Sequence, residues 1–168
     1  LLYVVHNLHA EGRPDVFKKG KQKYSKKDLE SVLANDQTPV FVAEENDYVV
    51  GYIFCIYVEV KDHSSLTDRK TLYIDDICVD KDYRKKGIGK ELYIYAKKIG
   101  KSNGCYDITL NVWHLNPGAL AFYEKLGLKK DIDWIEYKLF VPEQVTPRIQ
   151  KIANHILSKQ NFKVVTYK

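Results

Sequence analysis

The chain of 168 residues contains no methionine, not even at position 1, so its start is expected to be processed, truncated or incomplete. Cysteine is scarce. Cys55, Cys78 and Cys105 are odd in number, and two of them lie in apolar, strand-like runs where a free thiol acts as a small hydrophobe. No pair of them has the spacing of a zinc site, so neither a disulfide framework nor a metal centre is expected. Long apolar runs are missing, and no basic segment leads into an apolar stretch near the start. No membrane partner is therefore expected, and the default address is the cytoplasm. Repeats and low-complexity tracts are absent as well.

What is present is the composition of an ordinary globular domain: 45% apolar and 29% charged residues, which argues against disorder. The length suits one domain with a full core. A net charge of +5 over 27 basic residues would suit an anionic ligand, but a solvated basic surface explains it as well. No helix-turn-helix or RNA-binding signature accompanies it, so nucleic acid is not an expected partner.

Along the chain, residues 1–8 fit the end of a helix that runs into a loop at Glu11, Gly12, Arg13 and Pro14. Ser25 and Asp28 ahead of Leu29, Val32 and Leu33 predict a capped helix ending near Asn35. Val40, Phe41, Val42 and Ala43 form a strand, and Asn46–Asp47 turns it into a second strand over 48–60. After a polar loop, 71–79 reads as a third strand. Ile88, Leu92, Tyr95, Ala96 and Ile99 recur at helical spacing, and Asn103–Gly104 closes that helix. Ile108, Leu110 and Val112 alternate as a strand, and Asn116–Pro117 opens a helix carrying Leu120, Phe122, Tyr123 and Leu126. A further strand is predicted over 134–141, then a helix over 147–159 and a short strand over 162–167. Interleaved strands and helices predict an α/β (α+β) domain: a mixed sheet with helices on its faces.

Residues 72–89, LYIDDICVDKDYRKKGIG, carry the strongest chemical signal: an apolar strand, a polar turn, then a basic glycine loop opening a helix. Backbone N–H groups and a helix N-terminus there face a bound anion, with Arg84, Lys85 and Lys86 adding positive charge. Phosphate is the expected ligand group. A third dinucleotide-type glycine is lacking, as is the Ser/Thr after Gly89–Lys90 that a P-loop needs for magnesium.

The run Arg84-Lys85-Lys86-Gly87-Ile88-Gly89 resembles the pyrophosphate-binding signature of the GNAT (Gcn5-related) N-acetyltransferase superfamily. Residues 110–127, LNVWHLNPGALAFYEKLG, resemble a second segment of that family, in the right order and at the right separation. The resemblance spans about 39–141 and implies a GNAT-like, mostly antiparallel mixed sheet flanked by helices, with a domain over 1–141 and a helix–strand extension over 142–168. It implies acetyl-CoA as cosubstrate, with no metal, and an amine acceptor on a small molecule, polyamine-like or other, or on a peptide. The glycines at 87 and 89 would let the backbone approach the pyrophosphate, with Lys86, Ile88 and Lys90 beside it. Main-chain groups of Ile77, Cys78 and Val79 would receive the pantetheine arm, and Asn116, Ala119, Phe122 and Tyr123 would flank the thioester. An alternative from another class is a catalytically silent domain that binds acyl-CoA and serves as a sensor or interaction module.

Transfer to an amine needs a deprotonated nucleophile, donors for the developing oxyanion and an acid for the departing thiolate. Tyr123 resembles the family's tyrosine acid, and a backbone N–H near Ile77 or Cys78 is the expected oxyanion donor. The base is open among Asp75, Asp76, His6, His9 and water. Being neighbours on a strand, Asp75 and Asp76 are expected to point to opposite faces and not to share a pocket. Their segment Ile74-Asp75-Asp76 resembles the Leu-Glu-Asp of polyamine acetyltransferases. Where some protein N-terminal acetyltransferases carry a glutamate on the following strand, this chain has Asn111. His6, His9, Glu11 and Arg13 are expected to form a polar cluster on the acceptor side, with Trp113 and His114 as pocket walls. Two departures stand out: the family's strand ahead of the first helix has no counterpart here, and the tail is extra. The tail is expected to pack on its own sheet or on a partner protomer's, making a homodimer the candidate assembly.

Overall fold

A computed structural model describes residues 1–114 and 116–130. Its elements are α1 (Leu2–Gly12), α2 (Lys26–Leu33), β1 (Val40–Glu45), β2 (Tyr48–Val60), β3 (Arg69–Val79), α3 (Ile88–Ser102), β4 (Asp107–Leu110) and α4 (Pro117–Lys125), with a single 3-10 turn at Lys81–Tyr83. Leu1–Leu128 pack as one compact unit. The strand expected over 134–141, the tail helix and strand, and the boundary at 141 all lie outside the described residues.

Local chemistry sets most boundaries. Ser25 caps α2 reciprocally: its hydroxyl accepts from the Asp28 N–H while the Asp28 carboxylate accepts from the Ser25 N–H. Asn46 and Asp47 both adopt positive φ, 51° and 64°, as a tight turn between right-twisted strands requires. Asn116 accepts from the Ala119 N–H and Pro117 takes the first helical position of α4. The end of α1 differs from the sequence reading. α1 does not stop at residue 8 but runs on through Gly12, closed by the Arg13 N–H on the His9 carbonyl at 2.8 Å.

The sheet has the order β1-β2-β3-β4, antiparallel except for the β3–β4 pair, which is parallel. It is therefore the mixed, mostly antiparallel sheet expected from the sequence. Alternation along β2 feeds two cores. Ile53 and Cys55 join Leu72, Ile74, Leu92, Tyr93 and Ala96 beneath α3, while Tyr52 and Phe54 join Cys78 and the apolar faces of α1 and α2. Ile53 and Leu72 are fully buried, each contributing roughly 1.5–3 kcal/mol by the usual burial scale. On α3 the inward residue is Tyr93; Tyr95 is half exposed and lies edge-on against Phe41 of β1 at 5.0 Å.

A bulge in β3 positions the site. Phe54 pairs with Asp76 and Cys55 with Ile74, leaving Asp75 as the extra residue. An extra residue reverses the in–out alternation beyond it. Leu72 and Ile74 face α3 before the bulge, whereas Ile77 and Val79 face it afterwards. The parallel ladder with β4 ends at Ile74–Leu110, one residue before the bulge, although β3 stays paired with β2 as far as Val79. The sheet is split from Asp75 onward. Val112 of the expected fourth strand thus falls beyond the ladder.

Candidate active site

Among the described residues, the split places one edge of Asp76, Ile77, Cys78 and Val79 without a strand on the β4 side. In an antiparallel pair, alternate residues direct their N–H and C=O away from the partner, so this edge offers main-chain donors and acceptors to an extended ligand. The Cys78 side chain is buried against Tyr52 and Phe54, so only its backbone faces that edge; burial pushes its thiol up to about 11.

At the end of β3 lies the basic loop. Lys85 and Gly87 both have positive φ, 62° and 90°, a left-handed alternation that turns successive N–H groups toward one concavity. Gly87 is the N-cap of α3, and no heavy atom lies within 4 Å of where its Cβ would be. The Arg84 Nε donates to the Val79 carbonyl at 3.1 Å, pinning the loop to the strand end. Lys86 extends its ammonium over the Tyr83 ring at 4.5 Å, and Lys90 is exposed on the first turn of α3. Ile88 points inward to the α3 core. The Phe122 ring stands 3.3 Å from the position a Cβ on Gly89 would take, tying α4 to the loop. Asn116 has a structural task as the cap of α4, with Ala119 as its donor.

Phe122 also packs edge-on against Tyr123 at 5.1 Å. Burial first, then the charge of Asp76 and the neighbouring Tyr73, pushes the Tyr123 phenol up to about 12. It stays protonated at neutral pH. Asn111 donates from Nδ2 to the Tyr73 hydroxyl at 3.3 Å, bridging β3 and the segment after β4 just where the ladder ends.

Asp75 and Asp76 correct the sequence reading, because the bulge turns both carboxylates to the α1–α2 face. The Asp75 Oδ2 accepts from the Tyr24 hydroxyl at 3.0 Å and from the Lys23 Nζ at 2.6 Å; the Asp76 Oδ2 accepts from the Tyr52 hydroxyl at 3.0 Å. Tyr24 stacks on Phe54 at 5.5 Å, and Phe54 meets Tyr52 edge-on at 5.1 Å, so the phenol donors share one aromatic bed. Burial raises the Asp76 carboxyl above the ordinary range, against the opposing pull of Lys23, Tyr52 and His9.

Beside the carboxylates, the cluster expected from His6, His9, Glu11 and Arg13 comes apart. His9 joins Phe17 and Trp113 in a three-ring group, with centroids 5.2 to 5.8 Å apart, and its burial lowers its imidazole pKa. The His6 Nε2 pairs with the Lys18 carbonyl at 2.8 Å, Arg13 turns to Asp15 at 2.7 Å, and Glu11 and His114 are exposed. Lys23, Tyr24 and Tyr52 were not foreseen as site residues. Lys23 and Tyr24 stand ahead of a helix cap and Tyr52 sits in an apolar strand, and nothing local marks their long-range bonds. Among the described residues no group of three or more His, Cys, Asp or Glu is arranged to hold a metal ion, and no helix is long and apolar enough to cross a membrane.

Comparison with known proteins gives a consistent likeness. A model of the acetyltransferase (GNAT) family matches residues 2–128. The chain is similar to an uncharacterized N-acetyltransferase of Bacillus subtilis, YhfO, at 31% identity over 115 residues, 68% of this chain and 74% of that protein. It is also similar to the N-alpha-acetyltransferase MAK3 of Arabidopsis thaliana, at 31% identity over 134 residues, 73% of this chain and 65% of that protein. Among solved structures, the BH1408 protein of Bacillus halodurans aligns with a TM-score of 0.75 and 27% identity, covering 82% of this chain and 88% of that one. The chain spans about half to three quarters of the length of the curated relatives it matches.

Proposed function

We propose that this chain, which belongs to the acetyltransferase (GNAT) family, transfers an acetyl group from acetyl-CoA to a primary amine, on a small molecule or a peptide, by direct attack. The observation that carries this reading is the split in the sheet. One line of backbone runs from the left-handed loop at Lys85–Gly87, along the open edge of β3, to the bulge at Asp75, beside which the charge of Asp76 acts on the buried Tyr123 phenol. The residues fit coenzyme A. A concave, cationic N–H cradle suits a pyrophosphate, and an unpaired strand edge suits an arm that carries amide groups. When bound, acetyl-CoA supplies the activated acyl group.

The chain's own residues then have distinct tasks. Arg84, Lys85, Lys86 and Lys90 supply positive charge around the cradle, and the outward main-chain groups along Ile77 to Val79 orient the arm. Tyr123 holds a proton at its phenolic oxygen and donates it to the departing sulfur. Asp76, whose carboxylate accepts from the Tyr52 hydroxyl, takes the proton of the amine. Asp75 is a positioning residue, since Lys23 and Tyr24 already engage its carboxylate. The likeness to an N-alpha-acetyltransferase supports a peptide amine among the acceptors.

Free-thiol release with a panel of polyamines, amino acids and peptides tests the reading, with coenzyme A binding measured beside it by thermal shift. Tyr123→Phe is expected to lower kcat about 100-fold while leaving coenzyme A affinity within twofold. Unchanged turnover across pH would remove Tyr123 from the role of acid.

A further inference from the structure

The segment between α1 and α2 returns to the acceptor side with a primary amine of its own. From residue 13 to residue 22 it folds back along α1, with the Lys18 carbonyl on His6 and the Gly20 N–H on the Asn7 Oδ1 at 3.3 Å. It then delivers Lys23 to the bulge. The Lys23 Nζ lies 2.6 Å from the Asp75 Oδ2 and 3.4 Å from the Asp75 carbonyl oxygen, so one residue grips the ammonium from two sides. The Tyr24 hydroxyl binds the same carboxylate oxygen and holds that grip in register. The three ion pairs differ in their carboxylates: Asp75 is only 21% exposed, against about half for Asp15 and Glu59, so Lys23 reaches inward to a shielded acid.

Asp75 is also the residue at which β4 leaves β3. An arm that runs from the Lys85–Gly87 loop along Val79, Cys78 and Ile77 ends its path at this point. The amine sits on Asp75 at the end of that path, within electrostatic reach of Asp76 and His9. We infer that Lys23 occupies the seat of the acceptor's ammonium group and is itself an acetyl acceptor when no external amine is present, an inference that rests on the function proposed above.

The step balances within the groups named. The Lys23 ammonium gives one proton to water, and its lone pair forms the bond to the acetyl carbon. The carbon–sulfur bond breaks, the sulfur takes a proton from Tyr123, and the second nitrogen proton passes by way of Asp76 to restore the Tyr123 phenol. The products are N-acetyl-lysine at position 23 and free coenzyme A. Acetylation removes the charge that pairs with Asp75 and opens the grip, so an external amine competes with Lys23 for one place.

The full chain incubated with acetyl-CoA alone, then analysed by intact mass and peptide mapping, tests this directly. One acetyl group is expected on Lys23, at a rate independent of protein concentration and at least tenfold faster than on the exposed Lys18, Lys19 and Lys21 of the same segment, which serve as internal controls. Adding an excess of the best amine from the panel should slow it in the unmodified sequence, so the test does not depend on any variant folding. Lys23→Arg should abolish the modification, and Tyr123→Phe should slow it at least tenfold. Acetylation spread evenly over exposed lysines and indifferent to Tyr123→Phe would overturn the inference, as background chemistry. Turnover on free amines with an unmodified Lys23 would overturn it while leaving the proposed function standing. A chain that neither binds coenzyme A nor releases thiol would remove both.

Discussion

At the scale of single residues, the decisive contrast is between two neighbouring carboxylates with different partners. Asp75 has a cation and a phenol on one oxygen, whereas among the described residues Asp76 has the Tyr52 phenol, and burial acts on its carboxyl. Burial favours the protonated form of Asp76, so in the folded state this group binds its proton more tightly than in the unfolded chain. Stability is then greatest below the unfolded carboxyl pKa and declines as pH rises through the raised folded value. At neutral pH the charged Asp76 is a net cost to the fold. Asp76→Asn keeps an acceptor for Tyr52 and removes the charge, so its melting temperature at pH 7 should equal or exceed that of the parent, with the advantage fading toward acid pH. Its turnover should fall at least tenfold. For the parent, the acid limb of kcat/KM should lie above the usual carboxylate range and vanish in the variant. A variant less stable than the parent at pH 7 would refute this account of Asp76. Neither the raised carboxyl nor its phenol was legible in the sequence, because Tyr52 is twenty-four residues away and looks like one more apolar strand residue.

At the scale of elements, what the residues dictate locally was readable and what a ladder dictates was not. Caps, the Asn46–Asp47 turn and helical spacing lie within a few residues of one another, so α2, the hairpin, α3 and α4 follow from short-range chemistry. The bulge in β3 depends on how two strands pair across the sheet, and its one extra residue moves Asp75 and Asp76 onto a common face. Alternation alone gives the opposite answer. The extended α1 escaped for a similar reason: Gly12 ends a sequence pattern poorly but lets a ring lie flat. A Cβ there would stand 2.6 Å from the Trp113 Cζ3, and Trp113 is held on its other sides by His9 and Phe17. Gly12→Ala must therefore displace an indole that cannot simply swing aside. Overpacking of this kind costs about 1–3 kcal/mol, which urea denaturation would register as a lower midpoint at constant slope. Since Trp113 lies just before the cap of α4, kcat should fall more than coenzyme A affinity. A variant of full stability would mean that α1 and the segment after β4 are not clamped through this contact.

For the molecule as a whole, the proposed cofactor half and the proposed acceptor half of the site differ in how they are built, and this decides which half the sequence could announce. The loop at 84–89 is one contiguous stretch, so its charges, its glycines and its helix start can be read side by side. The proposed acceptor side assembles from α1, the loop after it, β2, β3 and the segment after β4, and only folding brings these together. The same division separates the forces. Arg84, Lys85, Lys86 and Lys90 are exposed and attract anions through solvent, on a chain whose net charge of +5 adds to their field. Lys23 and Asp75 attract each other at contact distance in a half-buried place. Salt screens the first kind much more than the second, since the Debye length falls from about 10 Å near 0.1 M to about 3 Å near 1 M. Raising potassium chloride from roughly 0.1 to 1 M should therefore weaken coenzyme A binding several-fold. Acetyl-pantetheine, which has the arm without the nucleotide phosphates, should show a KM that changes less than twofold over the same range. If both donors lost affinity equally, the basic loop would not be where phosphate binds, and the path along β3 would have to be drawn from another end.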